Sequence, residues 1–243
     1  EFGVSEALVE MTMSVYLLGM GVMESVRQSL ADLPALLLLA LAISAQAQSR
    51  TTRSTVWLAL GNLTKESSLL GALALCAGEK SRPFPLKKDL LSFRLAALPL
   101  LLWAWYVSSR LPSPNVSDGL GNFSWPLLGL GLHLKTCLTE LAAGNWDGRF
   151  SMGLLGAAGF TTQAWVLLRH PNLQSGWWRV GAAYAILLLF LSPWVWSGYW
   201  AVSRVVLPMT IAFNLLLPAS RHSFWPLWIL GNASMLHAVW RFL

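Results

Sequence analysis

The sequence predicts an all-α fold: a polytopic transmembrane helical bundle with a broken or re-entrant helical hairpin and an interfacial amphipathic helix. Composition is the first of three observations behind this reading. The 243 residues are 55% hydrophobic and 12% charged, with 14 Trp and a mean hydropathy of +0.54, whereas a soluble domain of this length needs more polar surface. Second, apolar runs recur at 33–47, 94–108, 150–168, 179–197, 201–218 and 224–242, with a weaker one at 7–22. Several approach the roughly 20 residues of a tilted spanning helix. Third, Lys65 and Glu66 sit inside the run 55–76, where an ionisable group is costly and marks a site, a helix break or a membrane surface. No long polar stretch separates the runs, so 1–243 reads as a single integral-membrane domain.

The weak first run follows Glu6 and Glu10, and Glu1 is not an initiator Met. Without the basic flank of a signal peptide, the chain reads as the N-terminally truncated part of a longer protein. The next run follows Asp32 and Pro34. Asp32 is expected to cap that helix; its sharper role is a general base on the outer face. The segment Gly78 to Arg94 carries Lys80, Arg82, Lys87, Lys88 and Arg94 and is the strongest cytoplasmic marker. Arg50 and Arg53 flank the other side of the 55–76 run, so a single crossing would put one basic flank on the wrong side. A hairpin resolves this: 55–63 rise, the tip with Asn62, Thr64, Lys65, Glu66 and Ser67 reaches the outer face, and 69–77 return. Such short arms are tolerated inside a bundle. In the alternative, Lys65 and Glu66 neutralise each other within one ordinary span, but adjacent residues do not face one another on a helix.

The segment 109–149 has breakers at Pro112, Pro114, Gly119 and Gly121, then helical spacing from Phe123 to Leu141 with His133, Lys135, Thr136, Thr139 and Glu140 interspersed. Flanked by Trp125 and Trp146, this helix is expected to lie along the outer surface as a lid, or as a wall for a lipid headgroup or sugar site. Trp177, Trp178, Trp194, Trp196, Trp200 and Trp225 mark other segment ends. The same topology places Glu24, Arg27, Asp32 and 197–204 outside, and Arg169, His170, Arg179, Arg221 and His222 inside.

The formal charge of +6 and the pI near 9.8 come from basic residues scattered between apolar runs. They serve orientation rather than nucleic-acid binding. Cys76 and Cys137 form no CxxC, and His133, His170, His222 and His237 are isolated, so no metal site or cofactor is indicated, although a divalent metal stays open. Arg204 stands at the outer edge of an apolar run. Its planar fork suits phosphate oxygens, the alternative being a snorkelling side chain. With Lys65 and Arg27 on the same face it forms a cationic cluster able to hold a phosphate. The lipid-phosphate or sugar-binding set is therefore Arg27, Lys65, Glu66 and Arg204. The sequons at Asn62, Asn115, Asn122 and Asn232 recur by chance too often to carry an argument.

The run ESVRQSLADLPALLLLALA, a short basic turn and LALGNLTKESSLLGALAL resemble the hairpin of bacterial polytopic proteins of the C-type glycosyltransferase superfamily (GT-C). There the tip typically reads Leu-Thr-Arg-Glu-Thr-Gly/Ser-Leu-Leu, and Lys65 stands where Arg is usual. The stretches LPLLLWAWYVSSRL, GNFSWPLLGL, WWRVGAAYAILLLFLSPWVW, RVVLPMTIAFNLLLP and FWPLWILGNASMLH extend the resemblance over nearly the whole chain. It implies a multi-pass protein of the bacterial cytoplasmic membrane in cell-surface glycopolymer formation, with membrane lipid, a polyprenyl-phosphate sugar donor and a glycan acceptor as partners. The family's catalytic acid lies in its first outer loop, which this chain begins beyond, and Glu6 and Glu10 match no motif. The resemblance thus implies a donor cavity and scaffold, with Asp32 as the weak catalytic candidate. Two further readings remain: a non-catalytic scaffold subunit of a glycopolymer assembly, and a lipid-linked sugar transporter. The transporter should show paired broken helices in corresponding halves, and the sequence shows one broken segment without a partner.

Overall fold

The computed structural model describes residues 31–76, 87–110, 121–146, 148–197, 199–217 and 224–233. These form helices α1 (Asp32–Ala47), α2 (Thr51–Thr64), α3 (Ser68–Cys76), α4 (Lys87–Arg110), α5 (Leu128–Ala142), α6 (Gly148–Arg169), α7 (Gly176–Phe190), α8 (Pro193–Ser197), α9 (Tyr199–Val205), α10 (Leu207–Leu216) and α11 (Phe224–Gly231). The described residues are helical apart from turns and one isolated bridge between Phe123 and Leu191. Two helices are long and apolar enough to cross a membrane, Leu90–Arg110 and Gly148–Arg169, while Asp32–Ala47, Gly176–Phe190 and Leu207–Leu216 are shorter apolar helices. The run 7–22 and the end of 224–242 lie outside the described residues.

The break expected within 55–76 is present. Lys65 leaves α2 with extended backbone (φ −154°, ψ 124°) while its N–H still donates to Gly61. A tight turn follows, in which Ser68 N–H donates to Lys65 O at 3.0 Å and Leu69 N–H to Glu66 O at 3.0 Å. The two arms run antiparallel. Gly61 faces Ala35 and Leu38 near the start of α1, Gly71 faces Leu39, and at the far end Gln46 Nε2 donates to Leu75 O at 2.9 Å. At 1.5 Å per residue the arms are about 21 and 13 Å long, so neither matches a ~30 Å hydrocarbon core upright.

The runs 179–197 and 201–218 are shorter as helices than their hydropathy predicts. α7 stops at Phe190, and Leu191 is extended (ψ 133°). Ser192 precedes Pro193, a position that disfavours helix, and proline opens α8 at its first residue. Val206 interrupts the second run and Pro208 sits in the first turn of α10. Broken helices therefore occur at more than one place, contrary to the single break read from the sequence. α5 likewise starts at Leu128 rather than at 123, because Pro126 and the left-handed Leu127 (φ 64°) precede it.

The core joins α1, α3, α6, α7 and α10 around Phe160, Val180, Tyr184, Met209 and Phe213, all buried. Gln163, fully buried in α6, donates to Gly231 O (2.8 Å) and accepts from Thr210 Oγ1 (2.9 Å). Asn214 and Asn232 exchange two 3.0 Å amide bonds. Together they clamp α6, α10 and α11, as polar groups do between helices in an apolar interior. α4 is held through Ala96 and Ala97, with Asn62 Nδ2 donating to Ala96 O at 2.9 Å. Beyond that seam Leu101, Leu102, Trp103, Trp105 and Tyr106 are all exposed.

These contacts sort the helix ends into two groups. One end gathers the start of α1, the α2–α3 tip, the start of α6, the close of α7, α5, α8 and the start of α10. The opposite end gathers Gln46 with Leu75, Arg179 Nη1 donating to Leu75 O at 3.0 Å, and Trp178 Nε1 donating to Leu167 O at 2.6 Å. Its segments 46–53, 74–76 and 166–179 carry Arg50, Arg53, Arg169, His170 and Arg179 and no acidic residue.

Candidate functional site

Three helix ends meet around Asp32. Ala31 occupies the cap position of α1 and offers no capping side chain, so Asp32 is the first helical residue rather than the expected cap. Its carboxylate points into the bundle. The extended backbone at Lys65 sends that side chain to Asp32 Oδ1, and Arg204, in the last turn of α9, places Nε 2.7 Å from Oδ2. The Asp32 side chain is 2% exposed, against 20% for Lys65 and 24% for Arg204. A carboxylate so buried is costly unless paired, and each of its oxygens has a cation. It suits the role of a counter-ion better than that of a proton acceptor. Tyr184 in α7 fixes the adjoining turn by donating to Ser67 O at 2.7 Å.

Beside this cluster opens an apolar groove of about 620 Å³. Leu69, Leu70, Phe93, Phe123, Leu187 and Val195 form its walls, and Lys65, Glu66, Ser67 and Asn122 supply polar groups. Lys65, Ser67 and Val205 line both the groove and the small cavity around Asp32. The strap 121–127 forms one wall. Ser124 N–H donates to Phe190 O (2.8 Å), Leu127 N–H to Leu189 O (2.6 Å) and Ser192 N–H to Asn122 O (2.9 Å), which ties the strap to the unwound end of α7.

Of the residues singled out in the sequence, Lys65, Arg204 and Asp32 therefore come together. Glu66 is exposed on the groove, and its carboxylate makes no ion pair with a described residue. Arg27 lies outside the described residues, as do Glu6, Glu10, Glu24, Arg221, His222 and His237. Lys65 finds its carboxylate at Asp32, not at Glu66, so the mutual-neutralisation alternative does not describe this tip. Sequence reasoning missed Asn122, read there as a sequon only, and Tyr184. The Gly121 turn and the Trp125–Pro126 step hinted at a fixed strap, but nothing local tied it to α7.

α5 covers the same end of the bundle. Its inward positions follow helical spacing: Gly129 meets Leu191, Ser192 and Trp196, while His133 and Cys137 both meet Gly153. The His133 ring lies tilted at 32° to that of the buried Trp196, with centroids 5.3 Å apart, and its Nε2 is 3.7 Å from Cys137 Sγ. Burial pushes the His133 pKa below the usual histidine range; the contact with the Gly153 carbonyl opposes this and the Arg149 charge reinforces it. Among the described residues no group of three or more His, Cys, Asp or Glu could hold a metal ion. A scan of protein-family models, a search of curated proteins and a search of solved structures each find no match for this chain.

Proposed function

We propose that this is a multi-pass integral membrane protein of the bacterial cytoplasmic membrane. It binds a polyprenyl-phosphate-linked sugar on the exoplasmic face and acts in cell-surface glycan assembly as a glycosyltransferase. One observation carries the reading: Lys65, which lines the apolar groove, and Arg204, in the small cavity that adjoins it, converge on a single anion. That combination suits an amphiphile with a phosphate head and a hydrocarbon tail. Two long apolar helices, exposed Leu and Trp along α4 and an all-basic opposite end support a membrane setting with the site outside.

In the transfer itself, an acceptor hydroxyl oxygen bonds to the sugar carbon as the bond from that carbon to the phosphate oxygen breaks. The electron pair leaves with the phosphate, the hydroxyl proton passes to a base, and Lys65 and Arg204 stabilise the leaving charge. Asp32 is engaged on both oxygens, so the base is a different group. That engagement also favours the scaffold reading as the runner-up, and the additional helix breaks keep the lipid-linked sugar transporter in play.

Binding of polyprenyl phosphate to the purified chain in lipid nanodiscs tests the site. Arg204→Lys keeps the charge but loses the fork, so affinity falls; Arg204→Ala lowers it further. Equal affinity in wild type and Arg204→Ala removes Arg204 from the site.

A further inference from the structure

The end of the bundle away from Asp32 holds a second cavity, of about 330 Å³, within the range of about 300–1,000 Å³ usual for small-molecule sites. It lies where the last turn of α6, the α6–α7 turn, the first turn of α7 and the last turn of α10 come together. Val166, Leu167, Phe213 and Leu216 give it apolar walls, and His170 and Asn172 bring side-chain polar groups that make no hydrogen bond to a described residue. Trp178 also lines it but spends its indole N–H on Leu167 O at 2.6 Å.

The electrostatics of this cavity have one sign. Arg169 closes α6 immediately before His170, is exposed, and makes no ion pair with a described residue. α7 presents its N-terminus here, with Ser175 capping the Trp178 N–H, and the positive end of a helix dipole favours an anion. The segments 166–179 and 207–217 contain no Asp or Glu, so no carboxylate along them competes for the cations. An apolar hollow with a cationic rim fits an amphiphile with an anionic head. At a basic end, which the bias of basic loops assigns to the cytoplasm, basic pockets between helices take the headgroups of anionic lipids. We propose that this cavity binds an anionic phospholipid of the inner leaflet. An acyl chain packs on Phe213 and Leu216, and the phosphate meets Arg169, His170 and the start of α7. A zwitterionic lipid offers the same phosphate but carries a choline cation into the cationic rim, so the site discriminates by headgroup. The inference needs the membrane setting, not the transferase reading of the groove.

The test titrates the full chain in detergent with phosphatidylglycerol or phosphatidylcholine and counts bound lipids by native mass spectrometry. Wild type binds phosphatidylglycerol at least about fivefold more tightly, the effect of one basic side chain near an anionic headgroup. Arg169→Gln removes that preference while leaving phosphatidylcholine affinity unchanged. Leu216→Trp fills the hollow and lowers the affinity for both lipids, with a melting curve run alongside to show that it folds. If it does not fold, Asn172→Trp, on the exposed turn over the same cavity, takes its place. Equal affinities for the two lipids in wild type, or a preference retained in Arg169→Gln, overturns the proposal. Loss in Arg169→Gln with no effect of the filling variant also overturns it, because the lipid is then held by surface charge and not by the cavity. Polyprenyl phosphate reports on the groove in the same preparations, and its affinity stays the same in both variants. Failure of wild type to bind it removes the groove reading and leaves this site standing; its loss together with phosphatidylglycerol in either variant overturns a separate site.

Discussion

Gly129 and Gly131 are two residues apart on α5 yet make opposite demands on the chain. A methyl group at 129 would run into the Leu191 carbonyl oxygen, a backbone atom that cannot swing away, whereas one at 131 meets nothing within 4 Å. Gly131→Ala should therefore stabilise the protein by about 0.5–1 kcal/mol, through helix propensity alone. Gly129→Ala should destabilise it by at least about 1–3 kcal/mol. Denaturant titration of both variants in one detergent checks the pair, and equal midpoints would show that α5 does not rest on the unwound end of α7. At this scale the sequence was partly legible. Lys65, Arg204 and Asp32 stood out as charges beside apolar runs, but their pairing spans separations of 33 and 172 residues, and no local pattern encodes it.

The elements were legible wherever a break coincided with charge, and obscured wherever it did not. Lys65 to Ser67 interrupts an apolar run with polar groups and was visible; Pro193 and Pro208 interrupt equally apolar runs, and hydropathy averaged across them. The clamp between α6, α10 and α11 was hidden for a related reason, since Gln163, Asn214 and Asn232 read as isolated polar residues until the helices are packed. A double-mutant cycle on Asn214→Ala and Asn232→Ala should give a coupling of about 0.6–1.7 kcal/mol, the range of hydrogen bonds between membrane helices. Additive losses would dissolve the clamp. For α5, a histidine held below its ordinary pKa binds its proton more weakly folded than unfolded. Stability should then be full above about pH 6.5 and fall as the pH drops through the window between the unfolded and the lowered folded value. Melting temperatures of wild type should decline from pH 7 to pH 5 more than those of His133→Gln, and parallel profiles would assign the decline to other groups.

For the molecule as a whole, the separation of an all-basic end from the end holding Asp32, Lys65 and Arg204 is the feature that sequence and structure share most fully. The sequence argument placed Arg50, Arg53, Arg169 and Arg179 together by the bias of basic loops, and the contacts of Gln46 and Arg179 with Leu75 bring the segments that carry them to one end. In a background lacking Cys76 and Cys137, Lys65→Cys on intact cells should react with a membrane-impermeant thiol reagent and Arg169→Cys should not. The reverse pattern would invert the orientation and place the groove inside the cell. The site-bearing end also carries Trp125, Trp146 and Trp194, exposed by 82%, 77% and 79%, around the fully buried Trp196. Exposed indoles at a membrane boundary settle at headgroup depth, which makes this rim an optical ruler. Bromines placed high on the acyl chains should quench the emission of these three rings far more than bromines near the bilayer centre, while Trp196 keeps its light in both.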